Sequence, residues 1–537
     1  MVNFFMNKFR YLISIIFIES LFLFSLYGQT PEYKKYSNPD IENSAMYVAG
    51  NIYQKDFLLF IDMLQTCHPA FAAESAYAFN IDSIKQAGYK FTEKCKSTKE
   101  LWSYMQAIAT LLNDGHTSLM PEMNMNFMYP VAFFIDENDM YIRAINEDYK
   151  SSLGKKIDRI NGYKVNDVIN QFKRLISSDN EIYFKDKINN FITLYSIWEY
   201  TPLCLPDSSL QLTFTDASKV AIRPISSTQA KIVQIPQAQN IAHEATRKKN
   251  GVPFHYMILP EMNLCYLHFN TCTDQSTMRW QFLQTNSNIT ESALKEFEES
   301  TSQYPRFDVF LKEMFELIRK DKIGTLVIDV TSNGGGNSNL CDILLSWLKP
   351  VKETKTMNAY TRFSELWKQS YPVPAAIYEK AFAEKQQLFA MEKLYDEKIL
   401  ASYLPKNAAE SKFDKLFIRN NDENLIFKGN IIFVQSARTF SSAGLLITTA
   451  IDNNIGITIG EKSSYKPCHN GDLLAWELPN TKIKGKVSHK IFYRPNANKC
   501  NENYLSPDVY LSPIWTDVLE GKNIYWEWIL KNYVNKN

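Results

Sequence analysis

The stretch IIFVQSARTFSSAGLLITTAIDNNIGITIGEKSSYKP, residues 431–467, decides the fold. IIFVQ is a short apolar run of the kind buried on both faces of a sheet, and IGITIG is a second one. Between them, GLLITTAI is compatible with a helix. A strand–helix–strand unit of this length is a parallel crossover. The C-terminal ends of its two strands therefore lie on one side of the sheet, where open α/β folds place their sites. Ser441 follows the first strand, and Lys466 lies six residues beyond Gly460 at the end of the second. The spacing lets a serine and a lysine meet at one sheet edge, as a candidate nucleophile and base.

A third element points to the same edge. In KIGTLVIDVTSNGGGNSN (322–339), the buried strand TLVIDV ends in Gly334, Gly335 and Gly336. Glycines after a strand let backbone N–H groups approach a ligand closely, and acyl transfer needs such donors for the oxyanion of its tetrahedral intermediate. A serine hydroxyl also needs a base, being a weak nucleophile alone. A lysine can serve if burial lowers its pKa toward the working pH. Taken singly, each feature has a plainer reading: a helix N-cap, a tight turn, a solvated lysine. Neither GxSxG nor GxxxxGK[ST] occurs, so the argument rests on the order and spacing of the set.

That set resembles the tail-specific (carboxy-terminal processing) serine peptidase family. LLNDGHTSLMP (111–121) is similar to the family's D-[PG]-H-T segment, VIDVTSNGGG (327–336) to its D-L-R-x-N-x-G-G strand and turn, and RTFSSAG (438–444) to its nucleophile turn. Gly460 to Lys466 matches the spacing of its G-x-x-T-x-G-K segment. The resemblance implies Ser441 as nucleophile, Lys466 as base, and Gly335 and Ser442 as oxyanion donors through their N–H groups. It also implies Asn470 in a supporting place where relatives carry glutamine. Ser442 is the alternative nucleophile if the turn is shifted by one residue. Thr331 stands where the family has arginine, and Ser463-Ser464-Tyr465 where it has T-x-G. Tricorn-like members of the superfamily use a histidine base. His116 occupies that motif, and its ordinary pKa near 6.5 suits a base at neutral pH. Lys466 is placed ahead of His116, with His469 an outside candidate.

The fold class implied is α/β, mixed α+β overall. It comprises a ClpP/crotonase-like catalytic core of parallel strand–helix–strand units, a PDZ-like β-module and an N-terminal helical domain. The divisions expected are a signal peptide at 1–28, helices at 45–125 and the PDZ-like module with a helical insertion at 128–220. A connecting β segment at 221–260 leads into the catalytic domain at 261–530, which carries an insertion at 351–425. KIDRINGYKV (156–165) carries the PDZ resemblance, and PDZ modules add a peptide C-terminus as an extra strand. MNLCYLHFNTC (262–272) reads as the first strand of the catalytic sheet, and helical patterning is expected around 375–400.

The first 28 residues have basic Lys8 and Arg10 before an apolar stretch, the layout of a secretory signal, with an uncleaved anchor as the alternative. Export, to the periplasm or outside the cell, follows. The full sequence is 45% hydrophobic, and the chain beyond the leader is long enough for full globular cores. A net charge of +1 offers no basic field for nucleic acid or anionic membrane. The eight cysteines form no CxxC pair and do not suggest zinc; no metal or cofactor motif is present. The expected function is an exported serine endopeptidase acting on a polypeptide, with the substrate's C-terminus as a candidate recognition element. The alternative is a non-catalytic binder of peptides or apolar ligands on the same fold.

Overall fold

A computed structural model describes residues 32–534 apart from 73–79, 123–125, 138, 227, 236–242, 250, 286–288, 392 and 404–415. The leader read at 1–28 lies outside the described residues. The centre is a six-stranded sheet in the order Phe254–Leu259, Leu264–Phe269, Thr325–Asp329, Asn430–Gln435, Ile457–Gly460, Val509–Tyr510. The first pair is antiparallel and all the others are parallel. The 431–467 stretch forms the expected crossover, with Ser442–Asp452 as its helix. Side chains alternate across the sheet. Leu326, Ile328, Ile431 and Phe433 enter one core, under helices Phe307–Lys320, Asn339–Ser346 and Ser442–Asp452. Val327, Ile432 and Val434 enter the opposite core, with Trp526 and Ile529. Both faces are covered, which is why these strands read as unbroken apolar runs.

The sheet begins one strand earlier than the sequence suggested. Phe254–Leu259 folds back on Leu264–Phe269 through a turn that ends at Asn263 in the left-handed region (φ 51°). Asparagine is among the few residues that accept that conformation readily, so a hairpin edge precedes the parallel strands.

A second sheet covers the C-terminal ends of the first. It runs Lys34–Lys35, His469–Glu477, Lys484–Tyr493, Asn358–Arg362, Leu394–Asp396, with Ser118–Met120 pairing beside Lys484–Tyr493. The 351–425 insertion therefore supplies two strands as well as helices Pro372–Glu384 and Glu397–Tyr403; the patterning read around 375–400 is helical only in part. Helix Ile52–Cys67, started by an Asn51–Gln54 capping box, buries Phe57, Phe60 and Leu64 in a core shared with this sheet. Helix Thr98–Thr110 leads directly into the 114–117 turn and Ser118–Met120. Between these parts lie three small sheets built from residues 127–234, interrupted by helix Glu181–Phe191.

Candidate active site

Ser441 sits between strand Asn430–Gln435 and helix Ser442–Asp452 with φ 51° and ψ −126°. A positive φ on serine is strained by roughly 1–3 kcal/mol and persists only where the surroundings impose it. Here the glycine turn does so. Phe440 N–H donates to Asn333 O (3.1 Å), and Ser442 Oγ donates to Gly336 O (2.7 Å). Gly335, at φ 108°, backs onto the serine so closely that a Cβ there would stand 2.6 Å from Ser441 Cβ.

His116 Nε2 lies 3.2 Å from Ser441 Oγ, and its ring stacks on Phe440 at 4.6 Å between centroids. Behind it, Nδ1 stands 3.5 Å from Asp114 Oδ1, an ion-pair rather than a hydrogen-bond separation. Asp114 is buried and saturated with donors. Oδ2 accepts from Thr117 Oγ1 (2.6 Å), Ser488 Oγ (2.7 Å) and His68 Nε2 (3.1 Å), and Oδ1 accepts from His116 N–H (2.9 Å). The His68 tautomer follows from its other nitrogen: Nδ1 accepts from Ala70 N–H (3.1 Å), so Nε2 carries the proton that it gives to Asp114. Burial opposes the Asp114 charge, but hydrogen bonding and positive charge from His116 and His68 hold its carboxyl well below the usual range. Burial pulls His116 down, yet Asp114, then Asp179 and Asp472, raise it above its ordinary value.

Asp179, just before helix Glu181–Phe191, accepts from Gly115 N–H through Oδ1 at 2.6 Å. Burial pushes its carboxyl up to about 7, with the Asp114 charge acting in the same sense against His116 and Lys466. Asp114, His116 and Asp179 each offer a ligand atom within 4.8 Å of the others, and they are the residues that could hold a cation among those described. Asp114 spends its oxygens on four hydrogen bonds from the protein, and the set reads as a proton-handling network.

The other residues singled out from sequence are placed as follows. Lys466 is partly buried and has no hydrogen bond or ion pair among the described residues. Its neighbour Tyr465 turns inward and packs on Gly444. Lys466 reaches the site only as a charge acting on Asp179 and His469. Asn470 is buried in strand His469–Glu477, its Oδ1 without a hydrogen-bond partner. The His469 ring is 5.8 Å from that of His116 and stacks on Phe492; burial, with the charges of His116 and Lys466, holds it well below the usual histidine range. Ser442 heads its helix, so its N–H has no acceptor within that helix. The Gly335 N–H donates to Asn333 Oδ1 at 2.9 Å. Thr331 donates to Asp329 Oδ1 (2.6 Å) and accepts from Lys248 Nζ (2.6 Å), so a lysine remote in sequence supplies a cation beside the position where relatives carry arginine.

In the sequence Asp114 belongs to the DGHT segment without a role of its own, and Asp179, His68 and Lys248 are not among the expected site residues. For Asp114 the signal was available: a carboxylate two residues before a candidate base. The other three come from distant segments that carry no local motif.

Ser441 and His116 line a cleft of about 1260 Å³. Its walls combine apolar side chains, among them Trp280, Phe297 and Leu445, with the polar glycine turn, a mixture suited to gripping an extended chain. Peptidase family S41 matches residues 293–511, a segment that includes the glycine turn and Ser441. Over that segment the chain is similar to family S41 peptidases. It is a serine-type peptidase, and polypeptide is its substrate class. His116 and Asp114 lie outside the matched segment. No curated protein matches the sequence. Among solved structures, mature CPAF is similar over 92% of this chain and 99% of its own, with TM-score 0.60 and 13% identity. Mature CPAF complexed with lactacystin gives TM-score 0.59 and 12% identity over 92% and 100%. The photosystem II D1 C-terminal processing protease gives TM-score 0.40 and 11% identity over 88% and 98%. At these identities the CPAF likeness concerns the fold. That likeness in fold spans nearly the whole chain, including the segments that bring His116 to Ser441.

Proposed function

We propose that this S41 peptidase cuts polypeptides through a Ser441–His116–Asp114 relay. One observation carries the reading: His116 Nε2 within hydrogen-bond reach of Ser441 Oγ, with a buried, fully hydrogen-bonded carboxylate behind the ring. Ser441 Oγ attacks the scissile carbonyl while His116 Nε2 takes its proton. The imidazolium so formed is stabilised by Asp114, which stays ionised. The Ser442 N–H, at the head of its helix, faces the developing oxyanion. Gly335 keeps the opposite wall free of a side chain, and its own N–H joins if Asn333 releases it. His116 then protonates the leaving amine, and a water repeats the sequence on the acyl-enzyme. Lys466 and Asn470 tune the charge and packing around this relay; neither is its base.

We place the activity outside the cytoplasm. The leader at 1–28 supports this, as does the Cys468–Cys500 disulfide, a bond that needs oxidising surroundings. No helix among the described residues is long and apolar enough to cross a membrane. The edge strands Tyr163–Lys164 and Lys219–Ile222 of the four-stranded sheet are where a substrate C-terminus would add, if the PDZ resemblance extends to binding.

The test is a fluorophosphonate probe with Ser441→Ala alongside. Labelling at Ser441, and loss of hydrolysis of an unfolded protein in the variant, are expected. Hydrolysis that survives in Ser441→Ala refutes the relay.

A further inference from the structure

We infer that Asp179 is a positioning residue for His116: a second carboxyl group, brought in by the helix inserted into the β-module, that works together with Asp114 on the ring. The inference rests on the relay proposed above and adds to it a group from a different part of the molecule.

The geometry comes first. Asp179 Oδ1 accepts the N–H of Gly115, the residue between Asp114 and His116, at 2.6 Å. On the other side of that residue, Tyr183 Oη donates to Gly115 O at 3.2 Å. The 114–116 turn is thus held from both sides by one short segment. A Cβ at Gly115 would meet the Tyr183 ring at 3.0 Å and Asp179 Oδ1 at 3.2 Å, so a side chain there would push these two groups outward. The segment is itself fixed. The Asn180 side chain caps helix Glu181–Phe191 by accepting from Tyr183 N–H, and its Nδ2 donates to Ser464 O (3.0 Å) and Asn503 O (2.7 Å).

The second part concerns the atoms left over. Asp179 is 7% exposed, and its Oδ2 is buried with no hydrogen-bond partner. His116 Nδ1 is likewise buried without one. The Asp179 carboxyl and the His116 ring each offer an atom to the 4.8 Å cluster they form with Asp114. If Nε2 accepts the Ser441 proton, Nδ1 must carry a proton of its own, and that nitrogen is buried 3.5 Å from Asp114 Oδ1 on a ring clustered with both carboxyls. An unpaired buried oxygen costs free energy. Here it belongs to a carboxyl clustered with the ring on which positive charge develops during the reaction, and the imidazolium offsets that cost. Asp179 would therefore favour the protonated ring more than the neutral one, which is the differential that accelerates a step.

The charged and titratable groups around Asp179 are Asp114 and His116 on the turn, His68 behind Asp114, Tyr183 and Asp186 on its own helix, Tyr465 and Lys466 from the loop after strand Ile457–Gly460, and His469 at the start of strand His469–Glu477, with Asp472 acting on His116. Among the described residues, only Asp114 and Asp179 combine a carboxyl with a place in the cluster around the ring, so Asp179 is the one group there whose charge can be removed while the Asp114 network stays intact.

Asp179→Asn preserves the acceptor for Gly115 N–H and removes the charge; Asp179→Glu keeps the charge. Two readouts are used. Histidine-selective NMR, assigned with His116→Ala, follows the ring titration without reference to activity. The pH dependence of kcat/KM follows its use. In Asp179→Asn the His116 titration is expected to fall by about one pH unit, and the acid limb of kcat/KM to move down with it. On the plateau kcat should drop roughly tenfold with KM unchanged, and Asp179→Glu should recover part of the loss. A His116 titration in folded Asp179→Asn that coincides with wild type overturns the inference, as does an unchanged kcat with lowered thermal stability alone. If Ser441→Ala or His116→Ala retains hydrolysis, the relay itself is wrong, and the NMR arm still decides separately whether the two groups are coupled.

Discussion

Nε2 of His116 meets Ser441 Oγ at 3.2 Å across 325 positions of chain, while Lys466, only 25 residues from the serine, makes no hydrogen bond to it. General-base catalysis requires contact before it requires a suitable pKa, and its removal costs about 10²–10⁴-fold. His116→Ala should therefore lower kcat/KM by about 10³-fold. Lys466→Met, which removes only a charge acting at longer range, should stay within about tenfold of wild type. Steady-state kinetics on one peptide substrate separate the two, and a Lys466→Met loss as deep as that of His116→Ala would return the lysine to the role of base.

Asp114→Asn tests the carboxylate behind the ring. An asparagine cannot accept from His68, Thr117 and Ser488 together, and its NH₂ would face donors. Two effects should appear together. kcat should fall by about 10³-fold as the imidazolium loses its counter-charge, and unfolding free energy by about 1–3 kcal/mol as buried donors go unpaired. Kinetics and urea unfolding measure both. A variant destabilised but fully active would reduce Asp114 to a structural residue.

Gly335→Ala should inactivate without unfolding. Its φ of 108° disfavours any side chain, and a Cβ would collide with Ser441 Cβ at 2.6 Å, so the serine turn has to move. Misplacing the nucleophile against its oxyanion donors should cost about 10²–10³-fold in kcat, with a circular dichroism spectrum like that of wild type. Full activity in Gly335→Ala would show that the turn is not part of the site.

The crossover around Ser441 was legible because both of its strands are buried on two faces and the helix between them has no proline. The glycine turn and the DGHT segment were legible as local patterns. What the chain could not disclose was which base arrives. Lys466 follows its strand at a plausible spacing, but the loop spends its inward direction on Tyr465, whose ring fills the space left by Gly444. His116 arrives on a turn fixed by pairing of Ser118–Met120 with Lys484–Tyr493, an antiparallel contact between distant segments. Asp179 is set by a helix cap whose anchors, Ser464 and Asn503, are about 300 residues away, at separations of 284 and 323. Such contacts follow from the packing of whole units and leave no periodicity in the sequence.

The Cys468–Cys500 disulfide closes a loop with a sequence separation of 32, between Lys466 and the turn Ala497–Lys499. In the chain-entropy account, a loop of that length stabilises by roughly 3–4 kcal/mol. Replacing both cysteines with alanine should lower the unfolding free energy by about that amount. Because the proposed base comes from the 114–117 turn, kcat below the melting range should stay unchanged. Calorimetry and kinetics on the double variant check the pair of outcomes; a collapse of kcat in the folded variant would place the lysine loop inside the machinery.

The two site carboxyls make opposite demands on pH. Asp114 is held below its unfolded value of about 3.9, so its contribution to stability is present above that pH and is lost as pH falls through the folded value. Asp179 is pushed up to about 7, so the folded protein binds its proton more tightly than the unfolded chain does. Its contribution is present below the unfolded value and is lost as pH rises through about 7. Asp179→Asn removes that second dependence alone. The difference in Tm between Asp179→Asn and wild type should therefore shift in favour of the variant between pH 5 and pH 8, the window set by about 3.9 unfolded and about 7 folded. Thermal melts at the two pH values measure it. A difference that is the same at both would mean that Asp179 is ionised throughout, and that burial does not govern its proton.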